Sequence, residues 1–266
     1  MKTPRHRAIR ILSWIVGLAP AVAMASPEQL CEGQVVMPGA DGRVLGHIPY
    51  RETEAADLVP APAGFALGQS CLIHRDAAPD LERMLLAAAG VPGVAGHLRA
   101  VSCYRSIARQ RGVFCSEIGP TKMCKDAAER ARSVGPPGFS EHATGYAIDF
   151  GIRPSPGCPD VDDCMATTAA GKWLLVNAPG FGFELSFPSG NAQNVTWEPW
   201  HWRWVGRSIM TQGASRARAV FGRARMSFPA RPGIADQLDR WVAPVPVAPV
   251  VTVPEAPPPG KKKKKR

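Results

Sequence analysis

Two short stretches concentrate the side chains that could do chemistry. The first is Ser140-Glu141-His142-Ala143-Thr144-Gly145-Tyr146-Ala147-Ile148-Asp149, and the second is Glu198-Pro199-Trp200-His201. His142, His201 and Asp149 together make a set of two neutral imidazoles and one carboxylate. With a fourth position left open for water, that is the pattern of catalytic rather than structural zinc. Glu198 is then left over. A carboxylate beside the metal but not bound to it is placed to take a proton from water as the water attacks a carbonyl. The competing reading is a packed histidine or a solvated carboxylate, and for any one of the four residues alone that reading is the commoner.

Bringing these groups together requires bends. His142 and Asp149 are seven apart, an odd separation that would put them on opposite faces of one continuous strand. Gly145 can supply the bend, because it tolerates backbone angles that other residues avoid. The apolar run Tyr146-Ala147-Ile148 then reads as a short buried strand that delivers Asp149. Glu198 and His201 would likewise diverge on a flat strand, so Pro199 argues for a turn that lets both point one way.

The two motifs resemble those of a known family when taken with Cys103-Tyr104-Arg105-Ser106 before them and G-F-G-F-E-L-S-F-P, ending at Pro188, between them. The resemblance is to the VanY-type D-alanyl-D-alanine carboxypeptidases, zinc peptidases that share a fold with the hedgehog signalling domain. It covers roughly Leu81 to Gly206. It implies an α+β fold, a small antiparallel sheet flanked by helices with the zinc site at the sheet. It further implies His142, Asp149 and His201 as zinc ligands, Glu198 as catalytic base, and Arg105 as a substrate or oxyanion contact. Tyr104 and Ser140 are the other expected substrate contacts. Two departures stand out. Cys103 occupies a place where a small residue such as glycine is usual, and Ser186-Phe187-Pro188 stands where an arginine and a tyrosine commonly precede that proline.

The activity implied is removal of the terminal D-Ala from peptidoglycan stem peptides. The alternatives are an endopeptidase using the same site and a non-catalytic, zinc-stabilised cell-wall binding module. Glu198 argues against the last, since a pure binding site has no need of a non-ligand carboxylate beside an open metal position.

The elements around these motifs are legible in part. Leu81, Met84, Leu85 and Ala88 recur at helical spacing in Pro79 to Ala89, with Pro79 at the start and Gly90 at the end. His97 to Tyr104 alternates as a strand that presents Arg105 at its end, and Ser106 caps a helix through about Cys115. Lys125 to Arg132 and Thr167 to Asn177 read as further helices, and Phe181 to Leu185 as a strand. Trp197, Trp200, Trp202 and Trp204 read as a wall that dries and fixes the metal site, in preference to a sugar platform.

The formal charge of +10 suggests nucleic acid until it is located. Residues 1–10 and the run Lys261 to Arg266 hold all of it, so residues 11–260 net to zero and no nucleic-acid surface is implied. A basic start, an apolar run from Ile11 to Ala19 and Ala23-Met24-Ala25 form the pattern of a cleaved signal peptide. The run is too short to span a bilayer, so a secreted or periplasmic chain with no transmembrane segment in its mature form is expected.

Seven cysteines in an exported chain suggest three disulfides and one thiol. Cys115 with Cys124 and Cys158 with Cys164 close local loops and are preferred. Cys31 with Cys71 is a weaker pairing that leaves Cys103 free. The expected organisation is a signal peptide over 1–25, an irregular N-terminal wrap over 26–78 and a zinc peptidase core over 79–206. A C-terminal extension over 207–242 follows, with a short helix from Ala235 to Val242, and then a proline-rich tether over 243–266. The polybasic end Lys261 to Arg266 is a candidate contact for an anionic envelope surface.

Overall fold

Four short strands, three of them buried at every position, build the sheet on which the two motifs meet. The computed structural model describes residues 26–68, 70–155 and 157–235. In chain order the elements are β1 (Glu28–Cys31), β2 (Gln34–Val36), β3 (Leu58–Pro60), β4 (Leu72–His74), α1 (Ala78–Ala89), β5 (Leu98–Ser102), α2 (Ile107–Cys115) and α3 (Ala127–Arg130). They continue as β6 (Ala147–Ile152), α4 (Ala169–Asn177), β7 (Phe183–Leu185), β8 (His201–Trp204) and α5 (Ala214–Ser227). β5, β6, β8 and β7 lie in that order, antiparallel throughout, while β1–β2 and β3–β4 form two small antiparallel pairs.

One face of the main sheet carries the core. Ile148, Phe150 and Ile152 of β6, Phe183 and Leu185 of β7, and Trp202 and Trp204 of β8 are buried with Leu81 and Met84 of α1, Leu174 of α4 and Phe221 of α5. Each large side chain fully removed from water adds roughly 1.5–3 kcal/mol. The opposite face carries Asp149, His201, Arg203 and Glu184, because successive strand residues point to opposite sides. A smaller core of Leu30, Cys31, Val44, Phe114, Ala127, Ala131 and Phe139 joins β1 and the segment after β2 to α2 and α3.

The helix starts follow their local chemistry. Ser106 accepts from the Arg109 amide at the head of α2, and Thr168 accepts from the Gly171 amide at the head of α4. The sequence reading of the region beyond Gly206 missed α5. Its core-facing residues Ala214, Ala217, Arg218, Phe221 and Ala224 do follow helical spacing, but alanine and arginine make a weak apolar stripe. The helix expected over Ala235 to Val242 falls, after Ala235, outside the described residues.

The disulfides correct the sequence reading. Cys158–Cys164 is present, but the other two are Cys31–Cys115 and Cys71–Cys103, and buried Cys124 is the free thiol. The Gly119-Pro120 turn does bring Ile118 beside Cys124. Cys115, however, lies in the last turn of α2, where it bonds Cys31 of β1. Cys103 is not free because the Tyr104 amide donates to the Leu72 carbonyl at 2.9 Å, which lays Cys103 against Cys71. The loops closed span 84 and 32 residues, so each bond constrains the unfolded chain by about 4 kcal/mol in the chain-entropy account. Among the described residues, no helix is long and apolar enough to cross a membrane.

Candidate functional site

Gly145 places the first motif. Glu141–Thr144 forms one turn of 3₁₀ helix, and Gly145 ends it at φ 71°, a left-handed angle that favours glycine. A Cβ there would also come within 2.9 Å of Leu58 Cδ2 and 3.1 Å of the His74 amide nitrogen. His142 therefore sits on a turn rather than on β6, and the chain reverses before Asp149. The second motif turns at Pro199-Trp200, where the His201 amide donates to the Glu198 carbonyl at 3.0 Å.

β6 and β8 are paired so that Asp149 lies opposite His201. The Asp149 carboxylate bridges the two imidazoles, with Oδ2 3.0 Å from His142 Nε2 and Oδ1 2.8 Å from His201 Nδ1. One donor atom from each of these three buried residues lies within 4.8 Å of the others, a grouping that could hold a metal ion. The remaining ring nitrogens are occupied. His142 Nδ1 donates to the Cys103 carbonyl at 2.7 Å, and His201 Nε2 donates to Glu141 Oε2 at 3.0 Å. Those bonds hold protons on His142 Nδ1 and His201 Nε2, so in the neutral rings His142 Nε2 and His201 Nδ1 are the nitrogens available to a metal, which would take the place of the protons they share with Asp149. The donor set therefore fits zinc.

Sequence reasoning missed Glu141. It accepts from His201, from Ser186 Oγ at 2.6 Å, from Tyr50 Oη at 3.3 Å and from Arg203 Nη1 at 2.7 Å. Arg203 Nε in turn donates to Glu184 Oε1 at 2.8 Å, and Glu184 meets Arg225 Nε at 3.1 Å. A line of alternating buried charges thus runs from a candidate metal ligand to α5. The signal was present, since Arg203 is two residues beyond His201 on the same strand face, but Glu141 lies on a turn that no period describes.

The electrostatics follow from burial and these partners. Burial alone would push the Glu141 carboxyl up, but the Arg203 guanidinium and the bonds from His201 and Ser186 hold it well below the usual range. Asp149 is depressed in the same way, by the two imidazoles against its burial. Burial lowers the His201 ring, yet the two carboxylates outweigh this and raise it to about 10. Glu198 differs, because burial pushes it up to about 8, with the nearby Asp149 and Glu141 adding to the rise against the opposing pull of His201. A dication beside these groups would reverse that balance and favour the carboxylate.

Glu198 Oε2 lies 4.0 Å from His201 Nδ1, and Arg105 Nη2 lies 3.8 Å from Asp149 Oδ2. Both residues, with Ser140, line a cavity of about 680 Å³ together with His142, Asp149 and His201. Tyr104, an expected substrate contact, is not among the residues lining this cavity. It lies one residue before Arg105, and its hydroxyl donates to Glu52 Oε1 at 2.6 Å. The tryptophans also divide. Trp197 and Trp200 line the cavity, whereas Trp202 and Trp204 are fully buried on the far face of the sheet, where Trp204 donates to Asp80 Oδ2 at 2.9 Å. With His201 facing the cavity, alternation along β8 turns Trp202 and Trp204 away from it, whereas Trp197 and Trp200 precede the strand and escape that constraint.

The family described as VanY, D-alanyl-D-alanine carboxypeptidase, matches residues 70–207. YodJ of Bacillus subtilis (strain 168), which carries a carboxypeptidase name, is 36% identical over 160 residues, covering 58% of this chain and 55% of YodJ. VanXYC of Enterococcus gallinarum, named a bifunctional D-Ala-D-Ala dipeptidase and carboxypeptidase, is 28% identical over 166 residues, covering 60% of this chain and 80% of that one. Among solved structures, the LdcB LD-carboxypeptidase superposes with a TM-score of 0.52 at 25% identity, covering 76% of this chain and 95% of that chain. The chain thus spans little more than half the length of YodJ.

Proposed function

The chain belongs to the VanY family of D-alanyl-D-alanine carboxypeptidases, and on that premise we propose that it is a zinc-dependent carboxypeptidase acting on peptidoglycan stem peptides. The observation that carries the reading is the buried His142, Asp149 and His201 group with the non-ligand Glu198 beside it in one cavity. His142 through Nε2, His201 through Nδ1 and Asp149 through its carboxylate would hold the ion. Bound zinc supplies a Lewis acid that makes a water more acidic and polarises the scissile carbonyl.

The chain's own groups do the rest. Glu198 takes the proton of the attacking water and passes it to the leaving amine, so that the C–N bond breaks with net addition of one water. Arg105 steadies the negative charge that develops on the carbonyl oxygen. Ser140 contacts substrate at the cavity wall. Cys103, through its carbonyl, and Glu141, through its carboxylate, hold the two imidazoles in the reactive orientation.

In this reading residues 1–25 direct export, 79–206 form the peptidase core, and Lys261 to Arg266 hold the enzyme near an anionic envelope surface from the end of a proline-rich tether. A second reading, cleavage of an L,D bond, is favoured by the fold likeness to LdcB, which is named an LD-carboxypeptidase. Mass spectrometry of a muropeptide digest treated with the zinc-loaded protein separates them. Loss of one alanine from stems ending in D-Ala-D-Ala is expected. Loss only from stems ending in a single D-alanine supports the second reading, cuts inside the stem or cross-link indicate an endopeptidase, and an unchanged digest removes the enzymatic reading.

A further inference from the structure

Four buried polar side-chain atoms lack a hydrogen-bond partner among the described residues, and three of them belong to residues that line the cavity holding His142, Asp149 and His201. They are Arg105 Nε, Gln110 Oε1 and Arg130 Nε. Buried donors and acceptors are normally paired, so three orphans around one space point to a ligand that pairs them. The fourth, Arg203 Nη2, belongs to the ion line behind His201.

Arg130 is the most informative of the three. It ends α3, is 8% exposed, and donates through Nη2 to the Val113 carbonyl at 3.1 Å. Among the described residues it forms no ion pair, whereas Arg203 has Glu141 and Glu184, and Arg105 has Asp149. A desolvated guanidinium stays charged and requires a counter-charge, and its planar fork suits a carboxylate. Gln110 is oriented by the bond from its Nε2 to the Gly135 carbonyl at 2.6 Å, which leaves Oε1 as an acceptor for a peptide N–H.

We propose that Arg130 is a specificity residue that binds a carboxylate of the peptide substrate, with Gln110 accepting from a neighbouring amide. The proposal rests on the peptidase reading. Two carboxylates have the required chemistry, the chain terminus and a side-chain carboxylate of the stem.

The test is calorimetric binding to the zinc-loaded full chain carrying Glu198→Ala, so that peptide is not consumed. The probes are a synthetic stem pentapeptide ending in D-Ala-D-Ala, its C-terminal amide, and its side-chain amide. One of the two amides is expected to bind about tenfold more weakly than the parent peptide, identifying the carboxylate held. Adding Arg130→Gln should weaken the parent by about tenfold, the gain from a charge-assisted bond, and leave that amide unchanged, while Arg130→Lys should recover part of the loss. Equal binding of all three peptides overturns the subsite without any Arg130 variant. Equal weakening of all three by Arg130→Gln assigns Arg130 a structural role and also overturns it. Absence of binding by every peptide, with no hydrolysis by the wild-type chain, removes the peptidase reading itself.

Discussion

Asp149 and His201 face each other across neighbouring antiparallel strands, with Asp149 Oδ1 2.8 Å from His201 Nδ1. The pairing fixes more than one contact. A slip of one residue in β8 would turn His201 toward the core and bring Trp202 to the cavity face. Burial of Trp202 and Trp204 on the far side therefore sets the position of His201 on the near side.

His201→Ala should remove most bound zinc and all hydrolysis, because it deletes one of three donors. Metal content after dialysis, measured by atomic absorption, checks this. Full zinc occupancy in the variant would show that His201 is not a ligand.

Glu198→Ala should keep its zinc and lose roughly 10²–10⁴ in turnover, the range for a general base. Metal content and kcat must be measured on the same sample. Loss of metal instead would exchange the roles of Glu198 and Asp149.

Glu141→Gln tests the line of buried charges. It leaves Arg203 with one carboxylate partner in place of two and weakens the bond that orients His201. Removing one partner of a buried pair costs about 3–5 kcal/mol, and loss of a ligand's outer partner costs roughly 10–100-fold in metal affinity. Both a lower Tm and weaker zinc binding in competition with a chelator are expected. Unchanged zinc affinity would confine Glu141 to a structural role.

Deleting Lys261 to Arg266 should leave hydrolysis of a small peptide unchanged and weaken binding to isolated envelopes at low salt. Six cations at the end of a proline-rich run are screened over about 8 Å at physiological ionic strength, so wild-type binding should fall as salt rises. Sedimentation with envelopes measures both effects. Equal binding by the truncated and full-length chains at low salt would leave the run as a solubility tail.

Features encoded within a few residues are legible in the amino-acid sequence itself. The Ser106 cap, the stripe of α1, the bend at Gly145, the turn at Pro199 and the Cys158–Cys164 loop each depend on local backbone preferences, and the fold has all five. His142, Asp149, His201 and Glu198 can be singled out because their residue types limit their chemistry. What the sequence leaves open depends on paths through space. Cys31 meets Cys115 across 84 residues, and Cys71 meets Cys103 across 32, because strand and helix packing brings them together. The division of the tryptophans between two faces needs the sheet register, and the role of Glu141 needs Arg203 on a neighbouring strand. Arg130 reads as an ordinary surface cation in a charged stretch. Only folding withdraws it from water without supplying an anion among the described residues, and burial energetics, which no local spacing records, make that arrangement informative.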